Sequence, residues 1–542
     1  MSKHAVARMN LTRLRADQAG SSVLLALVIM VIMAGFGAVL VATANDSSAD
    51  LSSQRSRSSA GAAADSAANI YQGLLNSQRI AENDGYTPTA DDLLSMLDVP
   101  NGEGFAAATE VPAPFIEPLD APPGFSVINA VNFRTVKVKV VDDNGEKGHA
   151  YWQIVAIKPP DYVVTNSLTV WFRSWLSTSV NARAQYTKVE YRPGFFSDYQ
   201  MLVNGPIAFT EAVTFEGKVH SNGYDNGELV FPAPNERIWT QGTGSVSCTG
   251  AQAKITTAKG LINIGATPDP DCNAVSGGKP AINFMHTRFT LDQMNRQCET
   301  EAVKCFKTPG VYDATLSAGT VNVTGPESGS YPVGIGKSFL FSGEVRVSGV
   351  TRERLTIAAE APDRRSGGNI RIVGDVGSFD PSNGATQAQH SSSVLGLVAQ
   401  GDVILDPPGC GADGELFIHA ALVAQSGGVT LDPQKATQNY QPGNFQCDKV
   451  NIKGSIASHR APVLEWRWDS GDWFGFDRRD YNYDEYKVVG GVQHNHLKLN
   501  PPPFFPNDGR WEILRAEENN VDCLPGIVPD GATAVARGCG WT

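Results

Sequence analysis

The chain has 542 residues, enough for two to four domains, with Gly (54) and Pro (32) plentiful and only 18% charged residues, a composition that argues against a mostly helical protein. Lys3, Arg8, Arg13 and Arg15 against Asp17 give residues 1–20 a charge of +3, so the net −12 leaves −15 on the remainder. A body that acidic repels phosphate backbones, which makes general nucleic-acid binding unlikely.

From Ser21 to Ala44 the chain carries no charge over 24 residues, long enough to span a hydrocarbon core of ~30 Å. The preceding basic residues place the N-terminus in the cytoplasm and the bulk of the chain outside. Three readings fit: a signal peptide cut after Ala42-Thr43-Ala44, an uncleaved signal anchor, or cleavage between Gly20 and Ser21. Beyond the apolar run, Ala60, Ala62, Ala63, Ala64, Ala67 and Ala68 favour helix, and Ile70, Leu74 and Leu75 supply an apolar stripe. Residues 21–80 are thus expected to form one long helix, partly transmembrane.

A basic leader ending in Gly, an immediate apolar helix and an Ala-rich continuation resemble the type IV prepilins, and most closely the PilX-type minor pilins. The resemblance implies leader cleavage after Gly20 and a helix that packs into a filament core. One departure is Leu25 at the fifth mature position, where major pilins carry Glu, so the resemblance points to a minor subunit.

Prolines 100, 112, 114, 118, 122 and 123 make residues 81–130 a linker. Val136, Val138 and Val140 alternate with lysines, Asp143-Asn144-Gly145 supplies a turn, and strand-like runs follow at Ala150–Lys158, Leu168–Trp175 and Gln185–Tyr191. These four strands predict a small antiparallel, pilin-like sheet over residues 131–192, with Trp152, Trp171 and Trp175 in its core.

From residue 193 short β runs alternate with Gly, Asn and Asp. The run Leu397–Pro407 returns as Leu422–Pro433, at an offset of 25 that becomes 26 after one inserted residue. A repeat of that length is one coil of a β-solenoid, expected over residues 193–465, with an aromatic and Pro-rich capping tail over 466–542. The runs Phe195-Phe196, Asn204-Gly205-Pro206 and Val213–Gly223, with Tyr483–Tyr486 and Pro501–Pro506, resemble a pilin-associated domain of unknown function in bacterial pilin-like proteins, the competence-type minor pilin ComZ among them. That resemblance implies a β-solenoid on a pilin stem. The fold class expected is therefore mainly β: a long N-terminal transmembrane helix, a small antiparallel sheet, then a β-helix.

The cysteines are Cys248, Cys272, Cys298, Cys305, Cys410, Cys447, Cys523 and Cys539, with no CxxC and no zinc-finger spacing to a His. An even count beyond a membrane segment reads as disulfides, with sequence neighbours the simplest pairing (248–272, 298–305, 410–447, 523–539); eight free thiols are the alternative.

Candidate chemistry is sparse. His494-Asn495-His496 lacks a nuclease context and reads as a loop; His220 reads as a turn-bonding residue. Asp406 and Asp432 hold equivalent repeat positions, so they stack about 4.8 Å apart, close enough to bind Ca²⁺ or share a proton, although Asp-Pro is common turn chemistry. Trp466, Trp468, Trp473, Phe474 and Phe476 form the densest aromatic group, either a coil cap or a stacking platform. Arg352, Arg354, Arg364 and Arg365 are a candidate anion patch. The expectation is a non-enzymatic minor pilin or pilin-like envelope protein, held by a single pass in the cytoplasmic membrane and displaying its solenoid for adhesion, filament assembly or uptake. Its expected partners are the membrane, other pilin subunits and their assembly machinery, and a carbohydrate or protein surface ligand, with no cofactor. The alternative is a membrane-anchored, carbohydrate-active β-helix enzyme.

Overall fold

The computed structural model describes residues 65, 67–73, 75–76, 126–127, 135–142, 145–158, 167–175, 185–224, 236–241, 244–249, 253–265, 270–284, 286–298, 300–334, 336–363, 367–378, 393–406, 414–432, 446–467, 473–483, 485–487, 493–495 and 501–519. Gly20, Ser21, the leader and the apolar run lie outside them. Among the described residues no helix is long and apolar enough to cross a membrane. The fold is mainly β.

The head is an antiparallel sheet built from β1 (Ser126–Val127), β2 (Val136–Asp142), β3 (Gly145–Lys158), β4 (Leu168–Trp175) and β5 (Gln185–Phe195). The four expected strands are present, and two more join them. Ser126–Val127 pairs with β3, and Asn507–Asn519 pairs antiparallel with β5 along Asn507↔Phe195 to Asn519↔Tyr186. The last part of the tail is therefore a head strand and not a coil cap, and the head is assembled from both ends of the chain.

Helical residues 67–73 and 75–76 lie on this sheet. Ala67, Ala68, Tyr71 and Leu75 are buried against Trp152, Ile154, Leu168, Phe172, Tyr191 and Trp511. The expected stripe is corrected here: Ile70 is 40% exposed, and Tyr71 takes the inward position. Small alanines let the helix approach, and Tyr191 Oη donates to the Ala68 carbonyl at 2.9 Å.

The second region is a stack of mostly parallel strands. Lys337–Val350 pairs with Val303–Ser317 on one side; on the other its first half pairs with Arg354–Glu360 and its second half with Ile370–Gly377. The strand turns a corner at Gly343 (φ 126°), where a Cβ would overlap the Gly310 carbonyl, so glycine is required. The repeat aligns strand on strand: Leu397↔Leu422 at offset 25, then Val403↔Val429 at offset 26.

The strands do not stack in sequence order. Tyr199–Val203 pairs with Gln446–Ser458 on one side and Lys218–Ser221 on the other, and Lys218–Ser221 pairs with Lys254–Thr257. The ladder then runs from Gln446–Ser458 through Glu415–Ala424, Val394–Ala399, Arg354–Glu360 and Lys337–Val350 to Val303–Ser317, where the hairpin Thr320–Thr324 and Gly329–Pro332 extends it. The chain adds strands outward from residue 199, passes back along the stack through the helix His286–Arg296, and returns strand by strand to meet its own start.

Alternate residues explain the continuous apolar runs. Phe339, Phe341, Ile357, Leu397, Leu422 and Ile456 fill the interior. Their neighbours Leu340, Ala358, Val398, Val423 and Ala457 face outward, yet are covered by Leu291, Met294, Phe504 and Phe505. Strands buried on both faces lose the polar alternation of a half-exposed sheet.

Candidate functional site

Asp406 and Asp432 follow the paired strands Val403–Leu405 and Val429–Leu431, so they stand on neighbouring strands as the repeat predicts. A third residue decides what they do. Arg371, on Ile370–Gly377 and in register with Ile404, points its Nη1 at both: 2.9 Å to Asp406 Oδ2 and 2.8 Å to Asp432 Oδ2. Its Nε donates to Glu344 Oε1 at 3.1 Å, and Arg346 Nε lies 3.5 Å from the same oxygen. Burial acts to lower the Arg371 pKa, but hydrogen bonds to Glu344 and Asp432 and the Glu344 and Asp406 charges outweigh it and raise it above the ordinary guanidinium value. A fixed cation thus stands where Ca²⁺ or a shared proton was considered, and the carboxylates act as a rivet across four strands. Arg371 was missed because it precedes the two aspartates by 35 and 61 residues and lies outside the repeat.

The Val219–Gly223 motif folds into a buried polar knot. His220 Nδ1 is 2.8 Å from Thr256 Oγ1, and Nε2 is 3.2 Å from Asn222 Oδ1. Asn222 Nδ2 donates to Asn204 Oδ1 (2.8 Å) and the Ile282 carbonyl (2.7 Å), and its Oδ1 accepts from Ile282 N (2.8 Å). Burial pushes the His220 pKa down to about 4, the Asn222 hydrogen bond opposing this and the Arg510 charge adding to it, so the ring is neutral near pH 7. The knot joins the first stack strands to the returning segment at residue 282; His220 bonds the Thr256 and Asn222 side chains and not the turn backbone expected of it.

Two of the four patch arginines are described, and they differ. Arg354 is 8% exposed and its Nε donates to the Pro501 carbonyl at 2.7 Å, whereas Arg352 is exposed. Arg364 and Arg365 lie outside the described residues. Within the aromatic group, Phe474 and Phe476 are buried in the stack core, and Trp466 is opposite Phe474 in a strand pair; Trp468 lies outside the described residues. His494 is on a short strand opposite Tyr486 and not in a loop; His496 lies outside the described residues. A pocket of 60 Å³ between Met201, Phe209, Leu464, Arg479 and Tyr481 has room for a few waters at ~10–15 Å³ each. Its Arg479 is held by Glu211 and by Glu465 at 3.0 Å.

Cys248 is bonded to Cys272 and Cys298 to Cys305. Cys410, Cys523 and Cys539 lie outside the described residues, as does the Cys447 side chain.

No family model matches the chain, and no curated protein is similar to it in sequence. Among solved structures it is similar to the competence-associated pilin ComZ from Thermus thermophilus, at 12% identity and a TM-score of 0.31, over 73% of this chain and 88% of that one.

Proposed function

We propose that the chain is a minor pilin or pilin-like envelope protein of the PilX type, whose stem carries a β-solenoid to the cell surface for adhesion, filament assembly or uptake. The observation that carries this reading is the seating of helical residues 67–73 and 75–76 on an antiparallel head sheet, downstream in sequence of a basic leader, Gly20 and a 24-residue uncharged run. The parallel ladders with a shared interior support reading the second region as a solenoid. In this account the N-terminus lies in the cytoplasm, residues 21–44 hold the precursor in the cytoplasmic membrane, and the head and solenoid lie outside. Its partners are pilin subunits, the assembly machinery and a surface carbohydrate or protein. Its role is display and not catalysis. No observation favours the carbohydrate-active alternative, because the carboxylate pair it would use is already bound to Arg371.

The test is Gly20→Phe in the native host. The variant is expected to remain uncut, stay in the membrane fraction and be absent from sheared surface filaments. Normal export of the uncut variant to the filament fraction would overturn the reading.

A further inference from the structure

The head and the stack meet where β5 passes through the turn Phe196–Asp198 into Tyr199–Val203, and where the tail returns through Pro506 to Asn507–Asn519. Phe196 N donates to the Pro506 carbonyl at 3.0 Å, locking the outgoing and returning segments together. Charged groups converge on this lock. Arg192 of β5 grips Asp198 through both carboxylate oxygens at 3.1 and 2.7 Å, both side chains being 3% exposed, and Glu512 lies 3.9 Å from the same guanidinium. Arg510 reaches the crossing segment, its Nη2 donating to the Pro280 carbonyl at 3.0 Å.

Asp508 enters this cluster beside Arg510. The residue as a whole is half-buried, but its carboxyl is turned inward against Gly194, where a Cβ would lie 2.8 Å from Oδ1. That oxygen accepts from the Arg510 backbone N at 2.9 Å. The groups facing it are Gly194 on β5, Asp198 on the turn, Tyr199 on the first stack strand, and Arg510 and Glu512 on its own strand.

We propose that the joint between the head sheet and the parallel stack is a pH-sensitive hinge, held shut while the Asp508 carboxyl is protonated and loosened as that carboxyl takes on charge beside Asp198 and Glu512. The inference is independent of the pilin reading. Burial raises the Asp508 pKa to about 7, Asp198 and Glu512 add to the rise, and the Arg510 backbone and charge oppose it. For a carboxyl raised in the closed state, stability is greatest at acid pH and falls as pH rises from about 4, levelling off above about 7. The opening equilibrium of the joint therefore grows by up to about tenfold per pH unit in that window.

The test is hydrogen exchange of the purified full chain between pH 5 and 8, corrected for intrinsic rates, read at amides 195–203 and 507–513. The wild-type chain is expected to open progressively up to about pH 7 and then plateau, whereas Asp508→Asn removes that rise. His220 has the opposite pH dependence and is retained in both chains, so their difference isolates Asp508. Glu512→Gln, at a half-exposed side chain, moves the plateau to lower pH by removing a like charge, an effect that a merely structural role would not produce. A flat wild-type profile, an unchanged profile in Asp508→Asn, or an unmoved plateau in Glu512→Gln would each overturn the hinge.

Discussion

Asn76 and Trp511, 435 residues apart, exchange hydrogen bonds: Trp511 N donates to Asn76 Oδ1 at 2.7 Å, and Asn76 Nδ2 donates to the Trp511 carbonyl at 3.1 Å. Gln72 Nε2 donates to the same carbonyl at 2.8 Å. These bonds replace the ladder partners that an edge strand lacks at Trp511, and they tie the N-terminal helix to the last described strand. Asn76→Ala is expected to cost about 1–2 kcal/mol and to speed hydrogen exchange across 507–519 while leaving strands 337–360 protected. Equal loss of protection in both regions would contradict a local clasp.

Removing the rivet has a different signature. Arg371→Met leaves Glu344, Asp406 and Asp432 facing one another and is expected to lower stability at pH 7 by about 2–4 kcal/mol, the lower end allowing for partial solvent screening. Most of that loss should be recovered near pH 4, where the freed carboxylates begin to protonate. Urea unfolding at the two pH values measures this; an equal loss at both would mean that packing and not charge is responsible.

His220 contributes an acid-side dependence. Its folded pKa, about 4, lies below the ordinary imidazole value of 6.5, so the native state binds fewer protons between those values. Its contribution is full above about pH 6.5 and is lost as pH falls toward 4, about 2–3 kcal/mol in all. His220→Gln is expected to flatten the stability profile over that interval. A wild-type slope unchanged by the substitution would assign the dependence to other groups.

The two described disulfides differ in the loop each closes. Cys248–Cys272 spans 24 residues and Cys298–Cys305 spans 7. On a loop-entropy account the first contributes about 3–4 kcal/mol and the second about 2–3. Paired Cys→Ala variants should therefore lower Tm more at 248/272 than at 298/305, and thermal unfolding in the reverse order would contradict that account.

Much of the fold was legible where period alone determines structure. Val136, Val138 and Val140 alternate, and β2 follows; the offset change from 25 to 26 in the repeat reappears as the register of two ladders. What sequence hid depends on long-range partners. Nothing near Asp406 announces Arg371. Tyr71 reads as an ordinary polar-aromatic residue until Phe172 and Tyr191 surround it. The strand Asn507–Asn519 carries a mixed, half-polar pattern suited to a sheet edge, so its membership in the head follows only from pairing with β5. The strand order was equally hidden, because pairing Tyr199–Val203 with Gln446–Ser458 leaves no periodic trace.

The central claim is that the chain is a processed, pilin-like stem carrying a displayed solenoid, and the mass of its mature N-terminus tests that most directly. Peptide mapping of the protein from its native envelope should find a mature chain beginning at Ser21. A chain beginning at Asn45, or one that retains Met1, would contradict it.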